Sequence, residues 1–270
     1  MIKLVVTDVD GTIVAKDEIL HPEVPALAKQ LRRQGIIYTI ATGRVESQVE
    51  EYVKQLELDD TPYIACNGGV IVRGGQVVFR RTVPLAPLRQ AVAVAEALEM
   101  SVLYSKNGVE RACRLTDYVR QQQRDFGRYQ EVIPFDEKMW ESLEIDKLVF
   151  MAKVRDGSLD AVEALCRRLP EEFGYKRYAN KALEVLHRDS TKEKGVQSLA
   201  DMLGIPMEQV MAVGDDLNDL GMLRAAGIGV AVGNAQEPAK EAADYVASAP
   251  CYEGVMEACQ RFCFGKERTQ

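Results

Sequence analysis

Short apolar runs that end in turns of Gly, Asp, Asn or Thr alternate with amphipathic helical stretches at both ends of this 270-residue chain. That alternation restricts the fold more than any other feature. Leu4-Val5-Val6-Thr7 reads as a buried strand bounded by the turn from Asp8 to Gly11. Residues 22–34 place Val24, Leu27, Ala28 and Leu31 at helical spacing between Pro22 and Gly35. Residues 36–41 then read as a strand ending in Thr42-Gly43, 45–56 as a helix, and 63–66 as a strand ending in Asn67-Gly68-Gly69. Strand, helix, strand, helix, strand requires a parallel sheet with right-handed crossovers. The pattern returns after Asp189, with helices over 193–203, 219–226 and 238–243 and strands over 210–213 and 228–232.

Between these ends the pattern differs. Val70-Ile71-Val72 and Gln76-Val77-Val78-Phe79 flank Gly74-Gly75, a hairpin signal, and Pro84 and Pro87 mark a joint. A helix is expected over 86–99. Strands at 101–105, 109–113, 146–154, 173–179 and 183–187 are interleaved with helices at 116–128 and 158–169. The expected fold is therefore α/β: a doubly wound, Rossmann-like parallel-sheet core formed by 1–83 and 188–270, interrupted by an α+β domain over 84–187. An insert of roughly 100 residues can hold a core of its own.

Composition narrows the partners. A formal net charge of -7 argues against general nucleic-acid binding, which needs a basic face. No apolar run approaches the roughly 18–20 residues that cross a bilayer, and the first residues lack a signal peptide's basic and apolar regions. No membrane partner, a cytoplasmic location and a monomer or weak homodimer are the expectations. The six cysteines form no CxxC pair, and buried thiols are favoured over disulfides or metal sites. His21 and His187 lack ligand spacing and read as structural. Arg111, Arg114, Arg120, Arg124 and Arg128 read as a solvated face rather than a second anion site.

Four clusters fall at the carboxyl ends of strands, where doubly wound sheets place ligands. Asp8-Val9-Asp10-Gly11-Thr12 sets two carboxylates two residues apart, facing one way on an extended chain. One suits a nucleophile and the other an acid/base. A Ca²⁺ loop of the EF-hand kind would need a preceding helix and a terminal Glu, and neither is present. Thr42-Gly43-Arg44 offers a hydroxyl and amides, either to a phosphoryl oxygen or simply as a helix cap. Lys192, just before the helix at 193–203, either neutralises an anion or is solvated, and Lys194 competes with it. Gly214-Asp215-Asp216-Leu217-Asn218-Asp219 is either an oxygen-rich cation site or an acidic turn with an N-cap.

In this order the clusters resemble the haloacid dehalogenase (HAD) superfamily of phosphatases, and its Cof-type branch in particular, which carries a large α/β cap. The matching segments are Asp8 to Thr12, Ala41-Thr42-Gly43-Arg44, Asn67-Gly68-Gly69, Lys192, Gly214 to Asp219 and Gly233-Asn234-Ala235. The segment Ala243 to Val246, followed by Glu253-Gly254-Val255, resembles the family's ending, with Glu253 where Asp is more frequent. The likeness covers about residues 1–83 and 188–262; the cap matches in position, size and element pattern. In the family the lysine commonly precedes a Gly, which favours Lys194, whereas its separation from Gly214-Asp215 favours Lys192.

The resemblance implies hydrolysis of small phosphate monoesters, sugar phosphates first among them, through an aspartyl-phosphate on Asp8. Asp10 is implied as general acid and then base. Mg²⁺ would be held by the Asp8 carboxylate, the Asp10 backbone carbonyl and Asp215. Thr42, Gly43, Lys192 and Asn218 would bind the phosphate, Asp219 would orient the metal's surroundings or Lys192, and the cap would exclude water and read the leaving group. A phosphomutase using the same intermediate is the nearest alternative, and a non-catalytic sensor of a phosphorylated metabolite is a second.

Overall fold

The computed structural model describes residues 1–15, 18–152 and 158–265. Its first elements are β1 (Leu4–Thr7), α1 (Glu23–Arg33), β2 (Ile37–Ile40), α2 (Glu46–Gln55), β3 (Tyr63–Ala65), β4 (Val70–Arg73) and β5 (Gln76–Arg80). Next come β6 (Val83–Pro84), α3 (Arg89–Ala97), β7 (Ser101–Lys106), β8 (Val109–Ala112), α4 (Asp117–Phe126), α5 (Glu137–Ser142), β9 (Glu144–Ile145), β10 (Lys147–Met151), α6 (Ser158–Cys166), β11 (Phe173–Tyr178) and β12 (Ala182–His187). The last are α7 (Lys192–Leu203), β13 (Val210–Gly214), α8 (Leu220–Ala225), β14 (Ile228–Ala231), α9 (Glu237–Ala242), β15 (Tyr245–Val246) and α10 (Cys251–Phe262). They form two compact units, Met1–Phe79 with the chain from Thr191 on, and Arg80–Ser190.

The first unit is built on a parallel sheet in the order β15-β14-β13-β1-β2. Strand β1 is central, and all four of its residues are buried, as expected for a parallel strand covered on both faces. The chain winds from β1 to β2 in one direction and from β13 through β14 to β15 in the other. Right-handed crossovers running in opposite directions put their helices on opposite faces. Helix α1 turns Val24, Leu27, Ala28 and Leu31 inward, the stripe its sequence marks. The winding reverses between β1 and β13, and a doubly wound sheet has its crevice at such a reversal, beyond the strands' carboxyl ends. The register places Thr7 opposite Val213 on one side and Ile40 on the other, so the segments that open there begin at Asp8, Gly214 and Ala41. Strands β3, β4 and β5 form a separate three-stranded sheet around the Gly74-Gly75 turn.

The second unit is an antiparallel sheet ordered β11-β12-β10-β7-β8. One face carries Val102, Tyr104, Leu148, Phe150, Leu183 and Val185, packed with Ala91, Val92 and Ala95 of α3 and Leu159 and Val162 of α6. The other carries Leu103 and Ala112, packed with Val119 of α4 and Tyr129. Each of the two units thus has its own core. Arg111 pairs with Glu131 and Arg120 with Asp117, while Arg114 donates to the Glu96 carbonyl.

The main strands and helices fall within a few residues of their expected places. The strand expected over 146–154 ends at Met151, and residues 153 and 154 lie outside the described residues, as does the polar stretch 266–270. Helices α5 and α10 and the two-residue strands β6, β9 and β15 were not expected. None of the six cysteines forms a disulfide; four are buried as expected, while Cys251 and Cys263 are only partly so, and no helix among the described residues is long and apolar enough to cross a membrane. His21 stacks on Tyr252 with ring centroids 4.1 Å apart, and His187 Nδ1 accepts the amide of Asp189.

Helix α10 is fastened by Glu257. Its carboxylate accepts from the Ser248 amide and hydroxyl, the Ala249 amide and the Tyr245 hydroxyl. The Ser248 hydroxyl first, then that of Tyr245, pull its pKa from 4.5 down to about 2. A depressed carboxylate contributes stability that is present above its unfolded pKa and is lost as pH falls through the folded one. Glu257→Gln should therefore lower stability by roughly 1–3 kcal/mol at pH 7, the range for hydrogen bonds to a charged group. Denaturant titrations of both proteins should converge as pH is lowered from about 4.5 towards 2; an undiminished gap at low pH would refute the assignment.

Candidate active site

The turn after β1 is fixed by backbone bonds: the Asp8 amide donates to Val213, and the amides of Ile13 and Val14 both donate to the Val9 carbonyl. Gly11 turns the chain at φ +85°, and a Cβ there would lie 2.3 Å from Asp215 Oδ2. Only glycine permits both the conformation and the approach. This turn brings the Thr12 hydroxyl to Asp215, where it donates to Oδ1 at 3.0 Å.

Asp8 is buried, with 4% of its surface exposed. Its Oδ1 accepts a short bond from the Lys192 ammonium, whose second carboxylate partner is Asp219 Oδ1 at 2.7 Å. Lys192 is the first residue of α7 rather than the residue before it. Thr191 caps the helix by accepting the Lys194 amide at 3.2 Å. Lys194 lies on the exposed side of the same turn. Helix α7 can approach the turn after β3 because Gly195 and Gly68 face each other: a Cβ on Gly195 would lie 2.8 Å from the Gly68 Cα.

Asp219 organises the third segment. Its Oδ2 accepts the amides of Asp215 at 2.9 Å and Asp216 at 3.0 Å, while its Oδ1 holds Lys192. Both oxygens are thereby used. Asp8 and Asp215 each keep one oxygen, Oδ2, that Lys192 and Thr12 do not take.

Thr42 is fully buried, and its hydroxyl oxygen accepts the Arg44 amide at 3.1 Å. Asn67 joins two of the expected phosphate-binding positions. Its side chain lies against Gly43, and its Oδ1 accepts from Asn218 Nδ2 at 3.1 Å. Cys66 and Asn67 hold positive φ values of 49° and 53°. Two consecutive left-handed residues other than glycine are costly and mark a turn held by its surroundings. Asp10 stands apart. Its side chain is 53% exposed and is held by the Arg44 guanidinium, which approaches both of its oxygens.

Of the residues singled out in the sequence, Asp8, Lys192, Asp215 and Asp219 thus converge directly. Thr42, Gly43 and Asn218 gather around Asn67, and Asp10 is turned to Arg44. Sequence reasoning gave no role to Arg44, Asn67 or Thr12, although all three lie inside the segments that it marked.

Burial first, then the charges of Asp219 and Asp215, push the Asp8 carboxyl up, and Lys192 opposes them. Burial and the charge of Asp219 push Asp215 up to about 6. Burial works against the charge on Lys192, but Asp219 and Asp8 more than offset it and raise its pKa. Three carboxylates therefore share one ammonium in a buried place. Ligand atoms of Asp8, Asp215 and Asp219 all lie within 4.8 Å of one another. An all-oxygen donor set with excess negative charge fits a hard divalent cation. Of the three, Asp8 and Asp215 are the more open, each with an oxygen that Lys192 and Thr12 do not take.

The family model for haloacid dehalogenase-like hydrolases matches residues 5–259. A 5-amino-6-(5-phospho-D-ribitylamino)uracil phosphatase of Bacillus subtilis is 28% identical, over 94% of this chain and 95% of its own. A phosphoglycolate phosphatase of Methanospirillum hungatei is 25% identical, over 97% of both chains. Among solved structures, a haloacid dehalogenase-like hydrolase from Bacteroides thetaiotaomicron superposes with a TM-score of 0.82 at 27% identity, over 97% of this chain and 99% of that one. A subclass IIB sugar phosphatase of the HAD superfamily does so at 0.81 and 26%, over 96% and 98%.

Proposed function

We propose a reaction on the footing that this chain belongs to the haloacid dehalogenase-like hydrolase family and is a phosphatase. The Asp8 carboxylate attacks the phosphorus of a monoester in line, the bond to the leaving oxygen breaks, and an aspartyl-phosphate forms. Asp10 gives its proton to the departing oxygen. As a carboxylate it then takes a proton from water, which attacks the phosphorus, frees inorganic phosphate and restores Asp8. The observation that carries this reading is the buried Asp8, with Lys192 on one oxygen and, among the described residues, no hydrogen bond to the other.

Lys192, Thr42, the Gly43 amide and Asn218 would hold the phosphoryl oxygens, and Asp219 would keep Lys192 and the Asp215 turn in place. Fixed donors and cations around a charged phosphoryl group are the main source of catalysis in such transfers. Mg²⁺ is the proposed cation, held by Asp8, the Asp10 backbone carbonyl and Asp215. It would supply positive charge that lets a carboxylate approach an anionic phosphate. The Arg80–Ser190 unit contains none of these residues, and we assign it the choice of leaving group. Sugar phosphates are the favoured substrates, a reading supported by the sugar phosphatase among the structural neighbours. A phosphomutase is not favoured, because the relatives named above are phosphatases.

The test is a screen of phosphorylated metabolites for free phosphate, with Mg²⁺ and with no phosphorylated activator. EDTA should abolish turnover and Mg²⁺ should restore it. Ca²⁺ should substitute poorly, because it takes more ligands at longer distances and loosens the in-line arrangement. Full turnover in a metal-free preparation would refute the metal assignment, and transfer to a second hydroxyl in place of phosphate release would favour the mutase.

A further inference from the structure

We infer that Arg44 is a positioning residue that fixes the direction of the Asp10 carboxylate. The inference rests on the reading of Asp10 as proton donor to the leaving oxygen.

The two partners are unequally held. The Arg44 side chain is 13% exposed and braced from several sides. Its NH1 donates to the Tyr52 hydroxyl at 3.4 Å, its Cζ lies 5.5 Å from the Tyr52 ring centroid, and its NH2 lies 3.8 Å from Glu18 Oε1. Tyr52 is itself buried on α2, and its hydroxyl donates to the Glu18 carbonyl at 2.9 Å. Asp10, in contrast, is half exposed, and among the described residues its side chain is held by Arg44. An exposed aspartate samples several rotamers, so only a fraction of its population aims a carboxyl oxygen at any given point. The guanidinium approaches as a planar fork, with Nε 2.9 Å from Oδ2 and NH2 on Oδ1, which sets the plane of the carboxyl group. A lysine would supply the charge without that plane. The fork is built from one turn after β1 and another after β2, so its position follows from the sheet rather than from a mobile surface.

A proton donor matters in proportion to the basicity of the group that leaves. A nitrophenolate departs without help, whereas a more basic phenolate needs the proton in the transition state. The experiment measures kcat/KM with Mg²⁺ on nitrophenyl, phenyl and methoxyphenyl phosphates for the wild type, Arg44→Ala, Arg44→Lys and Asp10→Asn. Arg44→Ala should lose less than about tenfold on nitrophenyl phosphate and about 10²-fold on methoxyphenyl phosphate, the lower end of what general acid catalysis contributes. Arg44→Lys should show the same steepening, because it keeps charge and loses the fork. Asp10→Asn should show it more strongly.

Equal losses on all three phosphates in Arg44→Ala, beside a steepened Asp10→Asn, would make Arg44 structural and overturn the inference alone. Full recovery of the wild-type slope by Arg44→Lys would overturn it too, since charge would then suffice. Equal losses in Asp10→Asn itself would overturn the proton-donor reading of Asp10, and the role of Arg44 with it.

Discussion

Asp8→Asn should leave the protein folded and reduce turnover by a factor on the order of 10⁶, the scale of losing a covalent nucleophile. The substitution preserves shape and one acceptor oxygen, so Lys192 keeps a partner at that position as well as Asp219. It also removes one of three crowded carboxylates whose mutual repulsion and burial push Asp8 and Asp215 up. Thermal unfolding should therefore be unchanged or slightly later. What is lost is chemistry, because an amide oxygen does not displace a leaving group from phosphorus. Phosphate release and rapid-quench labelling of the protein with radioactive substrate check the two halves of the claim. The wild type should carry transient label and the variant none. Retention of a tenth of wild-type turnover would exclude Asp8 as nucleophile.

Lys192→Met should damage both stability and activity, and the two losses can be separated. Lys192 is 1% exposed and bonds both Asp8 and Asp219, so removing the ammonium leaves two buried carboxylates uncompensated. Breaking a buried pair from one side costs about 3–5 kcal/mol. A second substitution, Asp219→Asn, removes one of the two orphaned charges and should recover part of that loss. It should not recover activity, since the cation proposed to meet the phosphoryl oxygens is still absent; the expected deficit is at least 10²–10³-fold, the scale for removing one transition-state donor. Lys194→Met is the companion, expected to stay within a few-fold of wild type in turnover. Urea titrations and phosphate release on the four proteins decide the matter. An active Lys192→Met beside an inactive Lys194→Met would reverse the assignment.

The choice between these two lysines shows what the sequence can and cannot convey. The Lys194-Gly195 pair drew attention to Lys194, but the glycine is accounted for by packing: its missing side chain lets α7 lie against Gly68. The parallel core was legible because β1 and β13 are continuous apolar runs and α1 carries an amphipathic stripe. Helix α10 was not expected, although the residues it buries, Gly254, Val255, Ala258 and Cys259, recur with a helical hydrophobic period. The six-residue helix α5 spans too few turns to show one. The segments carrying Asp8, Thr42, Lys192 and Asp215 could be marked because each follows a strand or opens a helix. The turning of Asp10 to Arg44 could not, since it depends on side-chain torsions across 34 residues and on Tyr52 as a brace.

The central place of β1 has a consequence for how the molecule is made. Asp8 leaves the ribosome long before its partners Lys192 and Asp219, and Thr12 waits for Asp215 across 203 residues. Until β13 emerges, β1 has one open edge, and the whole Arg80–Ser190 unit is synthesised in the interval. That unit has its own core and so can complete itself while that edge of β1 stays open. Closing so long a loop makes pairing of β1 with β13 a slow, late event. The cluster of Asp8, Lys192, Asp215 and Asp219 therefore cannot assemble until the chain beyond β13 has been made, and a shorter nascent chain carries Asp8 without its ammonium partner.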